Sequence, residues 1–172
     1  MPRRVMAWVR TLAHDIAVED MVEALCEYDD GGIARISCNT IDITGSSRFE
    51  AWGHRAAVVS DSQGIRLAKP DVPGDTFIRE SEKVWGRPES TWEALEPEKP
   101  EYAGHTANIY DFSQALIEGR NPMIPGVQGR NSVELANAII LSSVRKKVAE
   151  LPLDRDEYDD VLAQLRAEEK AK

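Results

Sequence analysis

Apolar and polar positions alternate along the first part of the chain, which is the pattern of half-buried strands. The first strand is predicted at residues 4–10, and the next two, at residues 18–28 and 33–41, are joined by the turn Asp29-Asp30-Gly31-Gly32. Glycine supplies the positive φ that a tight hairpin turn needs. The pattern predicts an antiparallel meander with one apolar and one more polar face. It continues in three shorter strands at residues 48–52, 56–60 and 65–68.

A proline-rich stretch follows between residues 69 and 104. It contains five of the nine prolines of the chain. We predict a long polar excursion here, with a strand at residues 76–80 and a short helix at residues 89–95, because long connections often carry irregular structure. Since the stretch also carries Trp85 and Trp92, we expect it to fold back onto an apolar surface.

The first helix of the last third is predicted at residues 106–118. Ile109, Phe112 and Leu116 recur at helical spacing and form one apolar stripe. Gly119 is the expected end of this helix, because glycine readily adopts the left-handed conformation that closes helices.

Two further helices are predicted after the turn dipeptides Asn121-Pro122 and Pro125-Gly126. One spans residues 132–147, with Asn131 as the cap of a capping box. An edge strand follows at residues 148–153, and a last helix and tail cover residues 154–172. The apolar stripe of the last helix consists of Tyr158, Val161, Leu162 and Leu165.

Composition and charge exclude several classes of function. A chain of 172 residues suits one domain, which we take to span residues 1–172. The net charge of −9 and the pI near 4.9 argue against a nucleic-acid partner. No apolar run approaches the ~20 residues of a membrane helix, and the N-terminus lacks the features of a signal peptide. We therefore expect a cytoplasmic protein without a membrane partner.

The cysteines and histidines do not predict a disulfide or a metal site. Cys26 and Cys38 both fall on apolar phases of predicted strands, so buried free thiols are favoured over a disulfide in a cytoplasmic chain. The three histidines, at positions 14, 54 and 105, are far apart and lack the spacing of metal ligands.

A series of short motifs runs through residues 111–153. Val18-Glu19-Asp20 and the glycine turn precede the series, within residues 14–38. Together these segments resemble the C-terminal domain of the Gfo/Idh/MocA oxidoreductase family, and the resemblance covers nearly the whole chain. In order, the motifs of the series are Asp111-Phe112, Ala115-Leu116, Gly119-Arg120, Pro122, Gly126, Gly129-Arg130, Ser142-Ser143 and Leu151-Pro152-Leu153.

The resemblance implies an α+β fold. It implies an open-faced, mainly antiparallel β-sheet with helices packed on one face, of the ferredoxin-like, dihydrodipicolinate-reductase-like kind. In this family the exposed face commonly pairs with another subunit, so we expect a homodimer through the open sheet face. Ile36, Cys38 and Trp52 are candidates for one face or the other, and the sequence leaves their side open.

The resemblance also implies NAD or NADP as the cofactor of an intact family member, bound by a Rossmann domain with a glycine-rich loop. This sequence has no GxGxxG and no β-α-β alternation in its first part. We therefore expect it to hold no cofactor alone and to contain no catalytic residue, and a separate Rossmann-domain protein is one candidate partner. Lys99 lies in a Glu-Lys-Pro like that of the family's catalytic lysine, but it follows the sheet strands and is not predicted to be catalytic.

Four residues are candidates for contacting a substrate. Tyr102 and His105 precede the Asp-Phe helix, where the resemblance implies an approach to the substrate pocket, and Arg10 and His14 lie at the end of the first strand. Hydroxyl and imidazole groups suit a sugar or polyol, and a guanidinium suits a carboxylate or phosphate. Packing, helix initiation and a solvated strand end are the alternative roles. Asp20 is expected to fix its loop through backbone amides.

Three functions are compatible with the sequence. The first is the C-terminal substrate-pocket and dimerisation domain of an NAD(P)-dependent oxidoreductase acting on a sugar, polyol or related hydroxy compound, inactive in hydride transfer by itself. The alternative is a stand-alone, non-catalytic oligomerisation or interaction module, or a subunit of a split enzyme. An enzyme that works with this domain alone is least favoured, because the sequence lacks a nucleophile–base pair, a metal cluster and a phosphate loop.

Overall fold

A computed structural model of the chain describes residues 1–45, 47–98 and 101–170. Lys99 lies outside the described residues, so its role stays a prediction. The strands are β1 Arg4–Arg10, β2 Met21–Glu27, β3 Ile33–Asn39, β4 Phe49–Trp52, β5 Ala57–Asp61, β6 Gly64–Pro70, β7 Ser90–Leu95 and β8 Ala149–Glu150. The helices are α1 Gly74–Glu80, α2 Gly104–Glu118, α3 Gly126–Arg145 and α4 Arg155–Lys170.

The chain divides into two compact units. The first unit consists of Met1–Ile43 and Tyr102–Lys172, and the second consists of Thr44–Glu101. Each unit contains one four-stranded antiparallel sheet. A compact unit is not by itself a domain that folds alone, so the single domain expected over residues 1–172 stays a prediction.

The sheet of the first unit has the strand order β3-β2-β1-β8. The predicted hairpin of β2 and β3 is confirmed, and its turn contains Gly31 at a φ of +84°. β8 is a short edge strand that pairs only with Arg4 and Val5 of β1. The edge strand predicted at residues 148–153 is confirmed only at Ala149–Glu150. The strand ends there because the chain turns away at Leu151-Pro152, where proline has no N–H to donate.

Helices α3 and α4 cover one face of this sheet, and alternation along the strands explains which face. Small side chains on β1 and β2 let α3 approach the strands closely, and burial of these apolar atoms stabilises the unit. Val161 of α4 is fully buried against the same core, as its predicted stripe requires. The buried core of the unit consists of Val5, Ala7, Ala24, Cys26, Ala138, Ile139, Leu141, Ala149 and Val161.

The opposite face of the first sheet carries no helix of the described part of its own unit. Trp8, Leu25 and Ile33 are exposed on it, and the ion pairs Arg4–Glu27 and Glu23–Arg35 cross it. Ile36 and Cys38 lie on the helix side, because they pair with Ala24 and Val22. Ile36 packs against the core there.

Cys26 is a buried free thiol, as predicted, but Cys38 is exposed, and the prediction that it is buried was wrong. Its strand alternates correctly, but β3 is the edge strand of its sheet and Cys38 is the second-last residue of the strand. The apolar phase of a strand therefore predicted its side and not its depth.

Two helix ends are closed by the expected local chemistry. Gly119 closes α2 at a φ of +67°, and the Asp154 carboxylate accepts hydrogen bonds from the amides of Asp156 and Glu157 at the start of α4. The cap predicted at Asn131 was wrong, since α3 begins at Gly126, after Pro125. A proline at a helix start removes an N–H that has no intrahelical partner anyway, so Pro-Gly began a helix where a loop was predicted.

The second unit contains a sheet of order β4-β5-β6-β7, so the predicted single meander is in fact two sheets. Two further predictions were wrong here: residues 76–80 belong to helix α1, and residues 89–95 largely form strand β7. Pairing with β6 over six residues decides the conformation of β7, where Thr91 and Trp92 suit a strand. We expected the stretch that carries Trp85 and Trp92 to fold back onto an apolar surface. This is wrong for Trp85, which is 96% exposed, whereas Trp92 contacts Trp52.

The observed architecture confirms the predicted fold class. Two antiparallel sheets and four helices make an α+β protein, and helices α3 and α4 lie on one face of the first sheet. Among the described residues, no helix is long and apolar enough to cross a membrane.

Candidate functional site

The loop between β1 and β2 is organised around the carboxylate of Asp20. Its Oδ1 accepts a hydrogen bond from the Leu12 amide at 2.7 Å, and its Oδ2 accepts from the amides of Ala13 and His14 at 2.9 and 3.0 Å. The Asp20 amide in turn donates to the Arg10 carbonyl at 2.9 Å. The side chain therefore fixes the backbone of the loop, as the sequence predicted.

The environment of Asp20 favours its ionised form. Burial would raise the pKa of this carboxyl, but the hydrogen bonds from the three backbone amides and from His14 outweigh burial and hold the pKa far below its ordinary value of 3.8. A buried carboxylate that stays ionised can orient a neighbouring imidazole.

His14 is that neighbour. Its Nδ1 lies 3.2 Å from Oδ2 of Asp20, while its side chain is half exposed. In the neutral tautomer with the proton on Nδ1, Nδ1 donates a hydrogen bond to the carboxylate and Nε2 is free to accept one. The arrangement can therefore present an oriented imidazole nitrogen to a hydroxyl group.

Arg10 is the last residue of β1 and directly precedes the same loop. Its guanidinium donates to the Val9 carbonyl at 2.7 Å. The residue also lines a cavity of about 290 Å³ whose walls include Val18, Ile140 and Glu168. The other three candidate residues do not line this cavity.

Tyr102 and His105 lie on either side of Gly104, the first residue of α2. The ring of Tyr102 packs against that of Tyr110, with centroids 4.6 Å apart and planes inclined by 30°. His105 is the second residue of the helix and is exposed. Two of the four candidate residues therefore lie at the end of β1 and in the loop after it, and the other two lie around the start of α2.

Two motif residues that the sequence left without a role hold the end of α2 and the following loop. Asp111 accepts a hydrogen bond from the Met123 amide at 2.6 Å and pairs with Arg120 at 2.8 Å. The Met123 and Arg120 contacts lower the pKa of Asp111. The pattern of apolar positions carries no signal for such a contact, because both side chains, the partly buried Asp111 and the exposed Arg120, are polar.

Ser142 and Ser143 connect α3 to β1. Their hydroxyl oxygens accept hydrogen bonds from the amides of Ala7 and Val9 at 3.0 and 2.9 Å. These amides lie on the edge of β1 that β8 leaves uncovered, since β8 reaches only Arg4 and Val5. The serine pair therefore completes the pairing of the strand that leads into the Asp20 loop.

The apolar stripe of α2 is largely uncovered. Ile109, Phe112 and Leu116, predicted to share one face, are 68%, 54% and 70% exposed. Ala115 is the buried residue of this helix. Apolar patches of this kind commonly mark contact with another protein surface.

The second unit carries a cleft of about 300 Å³ on one face of its sheet, lined by Arg48, Trp52, Val59, Arg66 and Trp92. The sequence left the side of Trp52 open and gave Trp92 no partner. Their rings meet edge to face with centroids 6.0 Å apart. Only the register of the strands brings the two rings together, and the register cannot be predicted from the periodicity of the sequence.

The described residues do not fit a dinucleotide or a metal ion. Strand pairs are antiparallel in both sheets, so the described part of the chain offers no β-α-β unit with its phosphate-binding turn. Within the same residues, no group of three or more His, Cys, Asp or Glu side chains is placed to hold a metal.

Comparison with known proteins identifies the family. Residues 3–151 match the family model described as "Oxidoreductase family, C-terminal alpha/beta domain", GFO_IDH_MocA_C. The chain belongs to the Gfo/Idh/MocA oxidoreductase family. The matched part of this Gfo/Idh/MocA chain includes the Asp20 loop, α2, α3 and the cleft of the second unit. No curated protein matches the sequence.

Solved structures share the fold of this Gfo/Idh/MocA chain. The WlbA dehydrogenase from Chromobacterium violaceum, in complex with NADH and UDP-GlcNAcA, is 21% identical with a TM-score of 0.62, and the match covers 89% of this chain and 41% of that one. UDP-N-acetylglucosamine 3-dehydrogenase from Acidithiobacillus ferrooxidans is 16% identical with a TM-score of 0.61, and the match covers 82% of this chain and 41% of that one. Levoglucosan dehydrogenase in complex with NADH is 15% identical with a TM-score of 0.62, and the match covers 89% of this chain and 45% of that one. The chain therefore spans less than half the length of these structures.

Proposed function

We propose that this chain forms the substrate-pocket and dimerisation part of an NAD(P)-dependent oxidoreductase that acts on a sugar, polyol or related hydroxy compound. The observation that carries the proposal is the match of residues 3–151 to the family's C-terminal domain. Similar structures named as dehydrogenases of sugars or sugar nucleotides, two of them solved with NADH, support the substrate class and the cofactor.

Hydride transfer then needs a second protein surface. The described residues offer no dinucleotide site, so the chain alone is expected to be inactive. The exposed stripe of Ile109, Phe112 and Leu116 supports the presence of a covering surface in the working enzyme. A Rossmann domain, in the same polypeptide or in a separate one, would supply the cofactor and the reacting groups.

The contribution of this chain is to bind and orient the substrate. The imidazole of His14, oriented by Asp20, would accept a hydrogen bond from a substrate hydroxyl through Nε2. The further proposed contacts are Arg10 at the end of β1, and Tyr102 and His105 around the start of α2. Holding the hydroxyl in place lowers the entropic cost of reaction without any chemical step at these residues.

The open face of the first sheet is the proposed dimer interface. Trp8 and Leu25 are apolar anchors on it, and the ion pairs of Arg4 with Glu27 and Arg35 with Glu23 lie beside them. Aromatic and arginine side chains are enriched in protein interfaces, and two-fold pairing places the same patch on both copies.

The interaction of α2 provides the test. The chain is titrated by calorimetry with the Gfo/Idh/MocA Rossmann domain encoded in the same genome. We expect saturable binding, which Leu116→Lys abolishes and Val84→Lys leaves unchanged, since Val84 is an exposed residue of the second unit. Equal binding by the wild type and both variants would contradict the proposal. So would the absence of binding in the titration, if limited proteolysis of the two domains expressed as one polypeptide also shows no contact between them.

The second candidate function, a stand-alone oligomerisation module, is favoured by the same open sheet face. It predicts a dimer that neither binds the Rossmann domain nor takes part in hydride transfer. The calorimetric titration therefore separates the two functions.

A further inference from the structure

The cleft of the second unit is formed by neighbouring rows of residues on one face of its sheet. The strand register places Trp52, Ala57, Ala68 and Trp92 in one row across all four strands. The next row on the same face runs through Glu50, Val59, Arg66 and Ala94. One apolar, aromatic row therefore lies directly beside a polar one.

The aromatic side of the cleft is held in a fixed arrangement. The rings of Trp52 and Trp92 meet at 78°, and Nε1 of Trp52 donates to Oε2 of Glu50 at 3.0 Å. Val59 and Ala68 are buried beneath them, whereas both indoles stay substantially exposed. Exposed indoles that a hydrogen bond and a packed floor hold in place lose little entropy when they contact a ligand.

The polar side of the cleft is a network of two cations and two carboxylates. The side chain of Asp61, only 9% exposed, accepts from Arg66 at 2.7 Å and from Arg48 at 3.3 Å, and Arg48 also pairs with Glu50. The hydrogen bond from the Gln63 amide lowers the pKa of Asp61 most. Burial raises this pKa, but the charges of Arg66 and Arg48 also lower it, so that it lies below its ordinary value. The charges cancel within the network, so it does not select for an anion.

The network retains hydrogen-bonding capacity. A guanidinium has five N–H donors. Toward the described residues, Arg66 donates through two nitrogens, to Gln63 and Asp61, and Arg48 donates through two, to Glu50 and Asp61. Donors therefore remain beside carboxylate oxygens that can accept further hydrogen bonds.

We propose that this cleft binds a neutral carbohydrate ring. The C–H face of a pyranose packs on an aromatic ring, and its hydroxyls both accept from arginines and donate to carboxylates. The volume of about 300 Å³ lies at the lower end of the range for ligand pockets, which suits one or two sugar rings. A nucleotide would need a net positive charge beside the aromatic rings, and the paired carboxylates remove it.

The proposal does not rest on the oxidoreductase function, because binding at this cleft requires no cofactor. The probes are glucose, N-acetylglucosamine and maltose, and binding is measured by tryptophan fluorescence and by saturation-transfer NMR. We expect at least one sugar to bind saturably below about 10 mM. Trp92→Ala is expected to weaken this binding about tenfold. Trp85→Ala is the matched control, because Trp85 lies in the same unit and is almost fully exposed, and it should bind like the wild type.

A second variant keeps the test independent of folding. Arg66→Lys keeps the charge but loses the planar fork, so it should weaken the binding severalfold while circular dichroism stays unchanged. No saturable binding of any of the three sugars would overturn the proposal, as would equal affinity in all variants. Tighter binding of adenosine monophosphate than of every sugar would also overturn it.

Discussion

The hydroxyl of Ser142 accepts a hydrogen bond from the amide of Ala7 at 3.0 Å and donates one to the carbonyl of Lys147 at 2.7 Å. Ser142 is fully buried, and its contact with the Ala7 amide lies in the core of the first unit, whereas its contact with the Lys147 carbonyl is partly buried. A helix side chain thus takes the place of a strand partner at an edge where β8 has ended.

Replacing Ser142 should be costly. Ser142→Ala leaves the buried Ala7 amide without a partner and removes the hydrogen bond to the Lys147 carbonyl. We expect a loss of about 1–3 kcal/mol in the free energy of unfolding. Ser113→Ala is the control, because Ser113 is exposed on α2, and it should change the stability by less than ~0.5 kcal/mol. Urea unfolding measures both, and equal stability of the two variants would contradict the role of Ser142.

The depressed pKa of Asp20 predicts a specific dependence of stability on pH. A carboxyl whose pKa is lower in the folded state contributes stability that is present above its unfolded pKa, near 3.8, and is lost as the pH falls through its folded value. Asp20→Asn should therefore be less stable than the wild type at pH 7, and the difference should shrink below about pH 4. Asp15→Asn, in the same loop, is the control.

Urea unfolding of the three proteins from pH 7 to pH 3 measures this difference. A stability difference between wild type and Asp20→Asn that stays constant over this range would refute the assignment.

The two thiols should react at different rates. Burial raises the pKa of the Cys26 thiol and shields it, whereas Cys38 is exposed. We expect one thiol of the native chain to react rapidly with Ellman's reagent and the second to react only on unfolding. Cys38→Ser should remove the rapid phase. Two rapid thiols in the native wild type would show that the core around Cys26 opens readily.

The open sheet face predicts the oligomeric state. Static light scattering should give a dimer at micromolar concentration, and Trp8→Glu should give a monomer, because a carboxylate would be buried at the proposed interface. Trp85→Glu adds the same charge at an exposed site of the second unit and should leave the dimer intact. A wild-type monomer, or a Trp8→Glu dimer, would contradict the proposal.

Much of the first sheet could be predicted from the sequence, because its signals are local. The alternation of Val22, Ala24 and Cys26 gave the buried face of β2, and the glycine turn gave the hairpin. The segments at residues 76–80 and 89–95 exchanged their conformations because each is short, and strand pairing decides short segments more than propensity does.

The candidate site divides in the same way. The role of Asp20 could be predicted because its partners, Leu12 to His14, lie within eight residues of it. The cleft of Trp52 and Trp92 could not, since forty residues separate them and only the register of four strands brings them together. Periodicity assigns a face to each residue, and it does not assign neighbours across a sheet.

A measurement of hydride transfer is the most direct test of whether this chain is part of an NAD(P)-dependent oxidoreductase. Reduction of NAD⁺ and NADP⁺ is followed at the absorbance of the reduced cofactor, with a panel of sugars, polyols and UDP-sugars. The purified chain is assayed alone and together with the Rossmann domain from the same genome. We expect no turnover by the chain alone and turnover of at least one substrate by the pair, and His14→Ala should reduce the turnover by the pair. Turnover by the chain alone, or none by the pair when the two domains are expressed as one polypeptide, would contradict it.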